Sequence, residues 1–158
     1  MNESDKIEIL GVRALKNPVN MREKLQFQIL FELKEVLHEK LHVKFIYVPS
    51  SINEKKDEEL ETYQIFGQQI GKFKITFFVT PPSFKGNKVS DLFGITVLLI
   101  QFIYREFEFT RVGYYINNEL KGPIEKDSNS EFFFKVKNTE RNILIKEPRV
   151  TQFFFQTK

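Results

Sequence analysis

The side chains that could carry chemistry are few. His38 and His42 are the only histidines, and cysteine is absent. Set four residues apart, the two imidazoles would align on a helix and could share a zinc ion. The residues around them read instead as a loop running into a strand, which places both at the surface. Without cysteine there is no disulfide, thiolate metal site or thiol nucleophile. Two histidines also supply a zinc centre or a histidine triad poorly. Glu54, Asp57, Glu58, Glu59 and Glu61 crowd the segment SINEKKDEELETY at 51–63. Paired carboxylates act as acid and base only inside a pocket, and nothing in the sequence builds one there. A solvated face is the ordinary fate of such a run; an acidic rim for a basic partner is the sharper reading. The seven glycines are scattered, so no phosphate-cradling loop is expected. These residues predict a protein that binds rather than catalyses, with no metal and no cofactor.

The constellation that suggests recognition lies in GITVLLIQFIY at 94–104 and EFEFTRVGYYIN at 106–117. In the first run Ile95, Val97, Leu99 and Ile103 share one face, and Thr96, Leu98, Ile100, Phe102 and Tyr104 the other. A sandwich strand buries only one face, yet both are apolar here. In the second run Glu108, Thr110, Val112, Tyr114 and Ile116 alternate with Phe107, Phe109, Arg111, Gly113 and Tyr115. An arginine among aromatics is a poor core and a good binding surface. Pattern alone slightly favours a loop or terminal segment covering the second face, over an exposed aliphatic patch with an arginine anchor.

These residues must be positioned by strands. The chain has 158 residues, 41% of them hydrophobic, with eighteen phenylalanines and no tryptophan, which suits one domain with a substantial core. LQFQILFEL at 25–33 alternates cleanly, with Leu25, Phe27, Ile29, Phe31 and Leu33 on one face. VKFIYV at 43–48 and KFKITFFV at 72–79 are further strands, the latter stopped by Pro81 and Pro82. IEILGV at 7–12 and VTQFFF at 150–155 supply strands near the two ends. The two long runs are predicted to form a hairpin at Arg105–Glu106, without the glycine such a turn favours. FFFKV at 132–136 also has strand composition. Seven or so strands at this spacing suggest an all-β sandwich. The segment 51–63 is read as a short helix, because Ser51 and Glu54 have capping-box spacing and acids crowd its early turns. KGPIEKDSNS at 121–130 reads as a loop.

Charge discriminates little. Lys and Arg number 24 against 21 acids, a net +3, with a pI near 9.0. A basic, aromatic-rich β domain binding nucleic acid directly is the alternative this raises, but the basic residues are not clustered. No signal-peptide pattern opens the chain, and the longest apolar stretch, GITVLLI at 94–100, is too short to span a bilayer. An intracellular protein without a membrane partner is expected.

The phrases RVGYYINNE at 111–119 and RNILIKEPRVTQF at 141–153 closely resemble the anti-silencing function family of histone chaperones. GITV at 94–97, IYV at 46–48, the LQFQILFE strand and Asn17–Pro18 extend the resemblance over nearly the whole chain. It implies an immunoglobulin-like β-sandwich with short helical loops, formed as one domain over 1–158. Familiar members are acidic and some carry a long acidic tail; this chain departs from them, with a net charge of +3 and no acidic tail expected after the matched core. It also implies irregular or short helical structure at 131–137, against the composition. The implied function is nuclear: binding the histone H3–H4 heterodimer, shielding the surface through which two heterodimers pair, and passing histones to other chaperones. Direct sequence-specific DNA binding is not implied.

The resemblance carries site residues too. Val97 matches the central apolar contact to histone H3, with Ile95 and Leu99 beside it and Val48 and Tyr115 extending the patch. Arg111 matches an arginine that engages the histone, Asp57 and Asp91 match acids facing histone cations, and Arg149 and Thr151 border the same surface. Ile9, Leu144, Pro148 and Val150 match a groove where the H4 tail adds a strand. A third site, for a basic β-hairpin of downstream chaperones, matches Phe31, Glu39, Lys40, Leu41 and His42. Lys40 and His42 stand where the family usually has acids, so a basic peptide is expected to bind this version more weakly.

Overall fold

The computed structural model describes residues 6–20, 22–49, 57–82, 94–120, 139–143 and 148–153. Ten strands follow in chain order: β1 Ile7–Ala14, β2 Val19–Asn20, β3 Leu25–Leu33, β4 Leu41–Val48, β5 Glu58–Ile65, β6 Gly71–Val79, β7 Gly94–Tyr104, β8 Phe107–Leu120, β9 Thr139–Ile143 and β10 Arg149–Gln152. All pairings are antiparallel. The smaller sheet has the order β1-β3-β6; the larger runs β2-β9-β8-β7-β4-β5, with β10 paired to β8. β8 thus shares one edge between β9, along Ile116–Leu120, and β10, along Thr110–Gly113. The predicted all-β sandwich is what forms, and no helix occurs among the described residues.

Alternation explains the core. β3 buries every second residue from Leu25 to Leu33, and β4 does the same from Leu41 to Tyr47. The inner face of β7 is Thr96, Leu98, Ile100, Phe102 and Tyr104, each at most 2% exposed. Phe27 of the small sheet meets Phe45 and Tyr114 of the large sheet at centroid distances of 5.9 and 5.8 Å. Between β5 and β6 the sandwich is zipped by side chains: the Tyr63 hydroxyl donates to the Phe78 carbonyl, and the Thr80 hydroxyl to Glu61. Elsewhere, Asn17 acts as a short strand. Its amide donates to the Ile143 carbonyl and accepts from the Ile143 N–H, both at 2.8 Å, next to the cis Asn17–Pro18 bond.

The helix expected over 51–63 is corrected for its described part: residues 58–65 are strand β5, paired with β4. Residues 51–56 lie outside the described residues, as do 121–138 with the loop and the FFFKV segment. The helix reading rests on the Ser51–Glu54 spacing and the early acids, and a bulge breaks the alternation that would have marked a strand. Phe45 faces Glu61 and Ile46 faces Glu59, which leaves Leu60 as an extra residue. Leu60, Tyr63 and Ile65 all pack on the core. The three-residue step from Leu60 to Tyr63 imitates helical spacing while the chain stays extended.

The hairpin at Arg105–Glu106 is present, with φ of 53° and 65°. A two-residue turn with both φ positive matches the twist of the strands, but it crowds Cβ at a non-glycine residue. Glu106→Gly is therefore expected to raise the unfolding free energy by about 0.5–1 kcal/mol. A higher urea midpoint at unchanged slope is the readout; an unchanged or lower midpoint would contradict it.

Candidate functional site

Strand register assembles the outer face of the large sheet into cross-strand rows. Val48, Val97 and Tyr115 form one row across β4, β7 and β8. Ile46, Leu99, Gly113 and Arg149 form the next, reaching β10. Gln101, Arg111 and Thr151 form the third. Neighbouring strands lie roughly 4.8 Å apart, so directly opposed side chains touch. Val97 and Leu99 are half-buried, and Tyr115 is 44% exposed. Together with Arg111, Arg149, Thr151 and Phe153 they line a depression of about 460 Å³. Among the described residues the apolar outer face of β7 stays accessible, and Phe153 packs on the Arg111 side of the depression.

Gly113 forms the floor of the depression. A Cβ built there would sit 3.4 Å from Leu99 Cδ2 and 3.8 Å from the Arg149 carbonyl, ordinary contact distances. The fold therefore tolerates a small side chain at 113, and glycine keeps the depression deep.

Arg111 is fixed rather than free. Its Nε donates to Glu108 Oε1 at 2.6 Å and its Nη2 to Oε2 at 2.9 Å. Gln101 Nε2 donates to the same Oε2 at 3.3 Å, and the guanidinium lies 5.4 Å from the Phe153 ring centroid. Hydrogen bonding to Glu108 raises the Arg111 pKa above its ordinary value, so the cation is permanent. Strict alternation puts Glu108 on the face opposite Arg111; the structure corrects this. Thr110 faces Phe102 and Glu108 faces Ile103, so Phe109 is the extra residue of a second bulge. Phe109 and Thr110 are both buried, and Glu108 turns outward beside Arg111.

Of the other matched residues, Asp57 is exposed and lies next to Glu58, whose partner is Tyr47, so it borders the patch beside Val48. Ile95 is in β7, opposite Asn117. Asp91 and Leu144 lie outside the described residues. At one side of the sandwich, Ile9, Pro148 and Val150 line a cavity of about 280 Å³ with Leu10, Val12 and Tyr114. Among the described residues β1 pairs only with β3 and β10 only with β8, so the cavity lies between two open strand edges. The Tyr114 hydroxyl donates to the Val12 carbonyl at 3.1 Å beneath it, and burial raises the phenol pKa. Val150 is 58% exposed.

The third set is only partly at the surface. Glu39 and Lys40 are exposed and His42 half-buried, but Phe31 and Leu41 are core residues, 2% and 1% exposed. Each sits at an inward position of a strand that alternates throughout, so neither presents an open contact face. Phe31 still floors a cavity of about 370 Å³ with Phe73, stacked on it at 5.6 Å, and with Ile65 and Phe66. Phe66 is 65% exposed, with the Lys40 ammonium 4.8 Å above its ring and 3.1 Å from Gln64 Oε1. Sequence reasoning missed Phe66, Glu108, Gly113 and Phe153 as site residues. Only the arginine-among-aromatics pattern hinted at the last three.

No group of histidines and carboxylates suited to a metal occurs among the described residues, and no described helix is long and apolar enough to cross a membrane.

The profile of the ASF1-like histone chaperones matches residues 4–157. This chain belongs to that family. A histone chaperone ASF1 of Debaryomyces hansenii is 37% identical over 147 residues, 93% of this chain and 55% of the relative. The Saccharomyces cerevisiae histone chaperone ASF1 is 37% identical over 93% of this chain and 52% of its own length. Histone chaperone cia1 of Schizosaccharomyces pombe is 36% identical over 95% and 59%. The chain therefore spans about half the length of these relatives, and the immunoglobulin-like fold of the family agrees with the sandwich described above.

Proposed function

We propose that this chain is a nuclear histone chaperone that binds one H3–H4 heterodimer without catalysis or cofactor. The observation that carries this reading is the solvent-facing row Val48, Val97, Tyr115, with Leu99 and a fixed Arg111 beside it. Such a patch can cover an apolar histone surface that would otherwise pair with a second heterodimer. Arg111, Arg149, Thr151 and Asp57 orient the partner through polar contacts at the rim, and Asp91 matches a further acid for histone cations. The open edges around Ile9, Pro148 and Val150 receive the H4 tail as an added strand, and Leu144 matches a further residue of that contact. Bound histones then pass to other chaperones or to DNA. The surface around Glu39, with Lys40 over Phe66 and His42 nearby, favours a hairpin less basic than the family's usual partners.

Size-exclusion chromatography with light scattering, on the protein mixed with refolded H3–H4 at moderate salt, tests the reading. A 1:1:1 complex replacing the histone tetramer is expected. Absence of that complex, with a DNA shift in a parallel gel, would overturn it in favour of direct nucleic-acid binding. Val150→Glu should weaken H3–H4 binding by about tenfold, because it places a charge at an apolar pocket of the edge. The loss should vanish with histones lacking the H4 tail. A tail-independent loss would detach this edge from the tail.

A further inference from the structure

The β8 bulge has a functional consequence at the binding face. Removing Phe109 from the alternation brings Glu108 and Arg111 onto one surface at a separation of three residues. The carboxylate then grips the guanidinium at two points, 2.6 and 2.9 Å, while Gln101 from β7 donates to the carboxylate at 3.3 Å. Phe153 covers the guanidinium from the β10 side at 5.4 Å. The side chains are 36% and 21% exposed, so solvent screens the pair only in part. A two-point carboxylate grip fixes the plane of an arginine as well as its charge.

Resting on the H3–H4 reading, we infer that Glu108 is a positioning residue of the histone interface. It acts through Arg111 in two ways. It holds the guanidinium along the rim of the Val97 depression, so that little side-chain freedom is lost on binding. It also cancels a positive charge on a face that must receive a basic partner, leaving Arg111 as an oriented hydrogen-bond donor with no net repulsion. A partly exposed ion pair contributes little to folding, so its main effect is on binding.

The test is a double-mutant cycle of Glu108→Gln and Arg111→Met, with H3–H4 affinity measured at two salt concentrations. Thermal unfolding and the Arg111 Nε–Hε resonance are followed on the free protein. Glu108→Gln is expected to weaken binding by about tenfold, less so at high salt, with an unchanged melting temperature. The Arg111 Nε–Hε signal should lose its protection from exchange. In the Arg111→Met background Glu108→Gln should have no further effect, since there is no guanidinium left to hold. Glu108→Asp should restore only part of the affinity, being too short to grip both nitrogens. An additive loss in the Arg111→Met background would overturn the inference. So would wild-type affinity for Glu108→Gln while Val97→Arg still abolishes binding. If Val97→Arg also binds as wild type, the H3–H4 reading falls and the inference with it.

Discussion

Val97→Arg is expected to abolish H3–H4 binding, by a factor above about 100, while the domain stays folded. Val97 stands at the middle of the row Val48, Val97, Tyr115 and at the wall of the depression over Gly113. Its side chain points away from the core, since Thr96 and Leu98 on either side are the buried neighbours. In the free protein an arginine there can lift its head into water, lying its stem along Leu99 and Tyr115. The folding cost is therefore expected to stay within roughly 1 kcal/mol. In the complex the same head would be enclosed between two apolar surfaces and stripped of water, at a cost of several kcal/mol with no carboxylate to meet it. Glu108 is already committed to Arg111. Val97→Ala, which only removes methyl groups, should cost about 1–2 kcal/mol of binding. Isothermal titration with refolded histones, beside circular dichroism melts, reads all three quantities. Wild-type affinity in a natively folded Val97→Arg protein would remove the histone from this patch.

The sandwich was legible because its main strands alternate without interruption. β3 and the inner face of β7 each carry five buried residues at strict two-residue steps, and β4 carries four. Bulges hid the rest. Leu10 is extra in β1, Leu60 in β5 and Phe109 in β8, as the register steps show. Each inserts one residue and exchanges the faces of everything beyond it; a glycine, Gly11, stands beside the β1 bulge, but neither glycine nor proline marks the other two. At Leu60 the exchange broke the alternation that would have countered the capping-box reading of a helix; at Phe109 it put Glu108 on the wrong face. The apolar outer face of β7 was legible for the opposite reason, although pattern alone slightly favours its being covered by the chain itself. β7 is apolar on both faces, and a strand in a two-sheet sandwich has only one core to fill. Which outer residues the chain itself would cover depends on where β10 and Phe153 lie, and that is set by register, not by local pattern. The surface aromatic Phe66 left no signal, because it follows β5 outside any alternating run.

The largest effect on stability is expected at Phe45, which is fully buried. Its ring meets Phe27 of the facing sheet at 5.9 Å, Phe77 at 5.9 Å and, edge-on, Tyr63 at 6.2 Å. Tyr63 and Phe77 also pack on each other at 4.9 Å, and the Tyr63 hydroxyl closes the β5–β6 edge. Phe45 thus joins the two sheets and anchors the one strand whose local sequence argues for a helix. Phe45→Ala removes a ring from the centre of this cluster and leaves a cavity that the rigid strands cannot collapse into. The expected cost is about 3–5 kcal/mol. For a chain of this length that lowers the melting temperature by roughly 10–15 °C. Phe45→Leu keeps most of the volume and should cost about 1–2 kcal/mol. Urea unfolding with an unchanged slope would show that the native state is weakened rather than loosened. Val48 and Ile46 lie on the opposite face of the same strand, so histone affinity well below the melting temperature should stay near wild type. A loss of less than about 1 kcal/mol would mean that β5 and β6 close the sandwich without this ring, leaving the side-chain zipper as its main fastening.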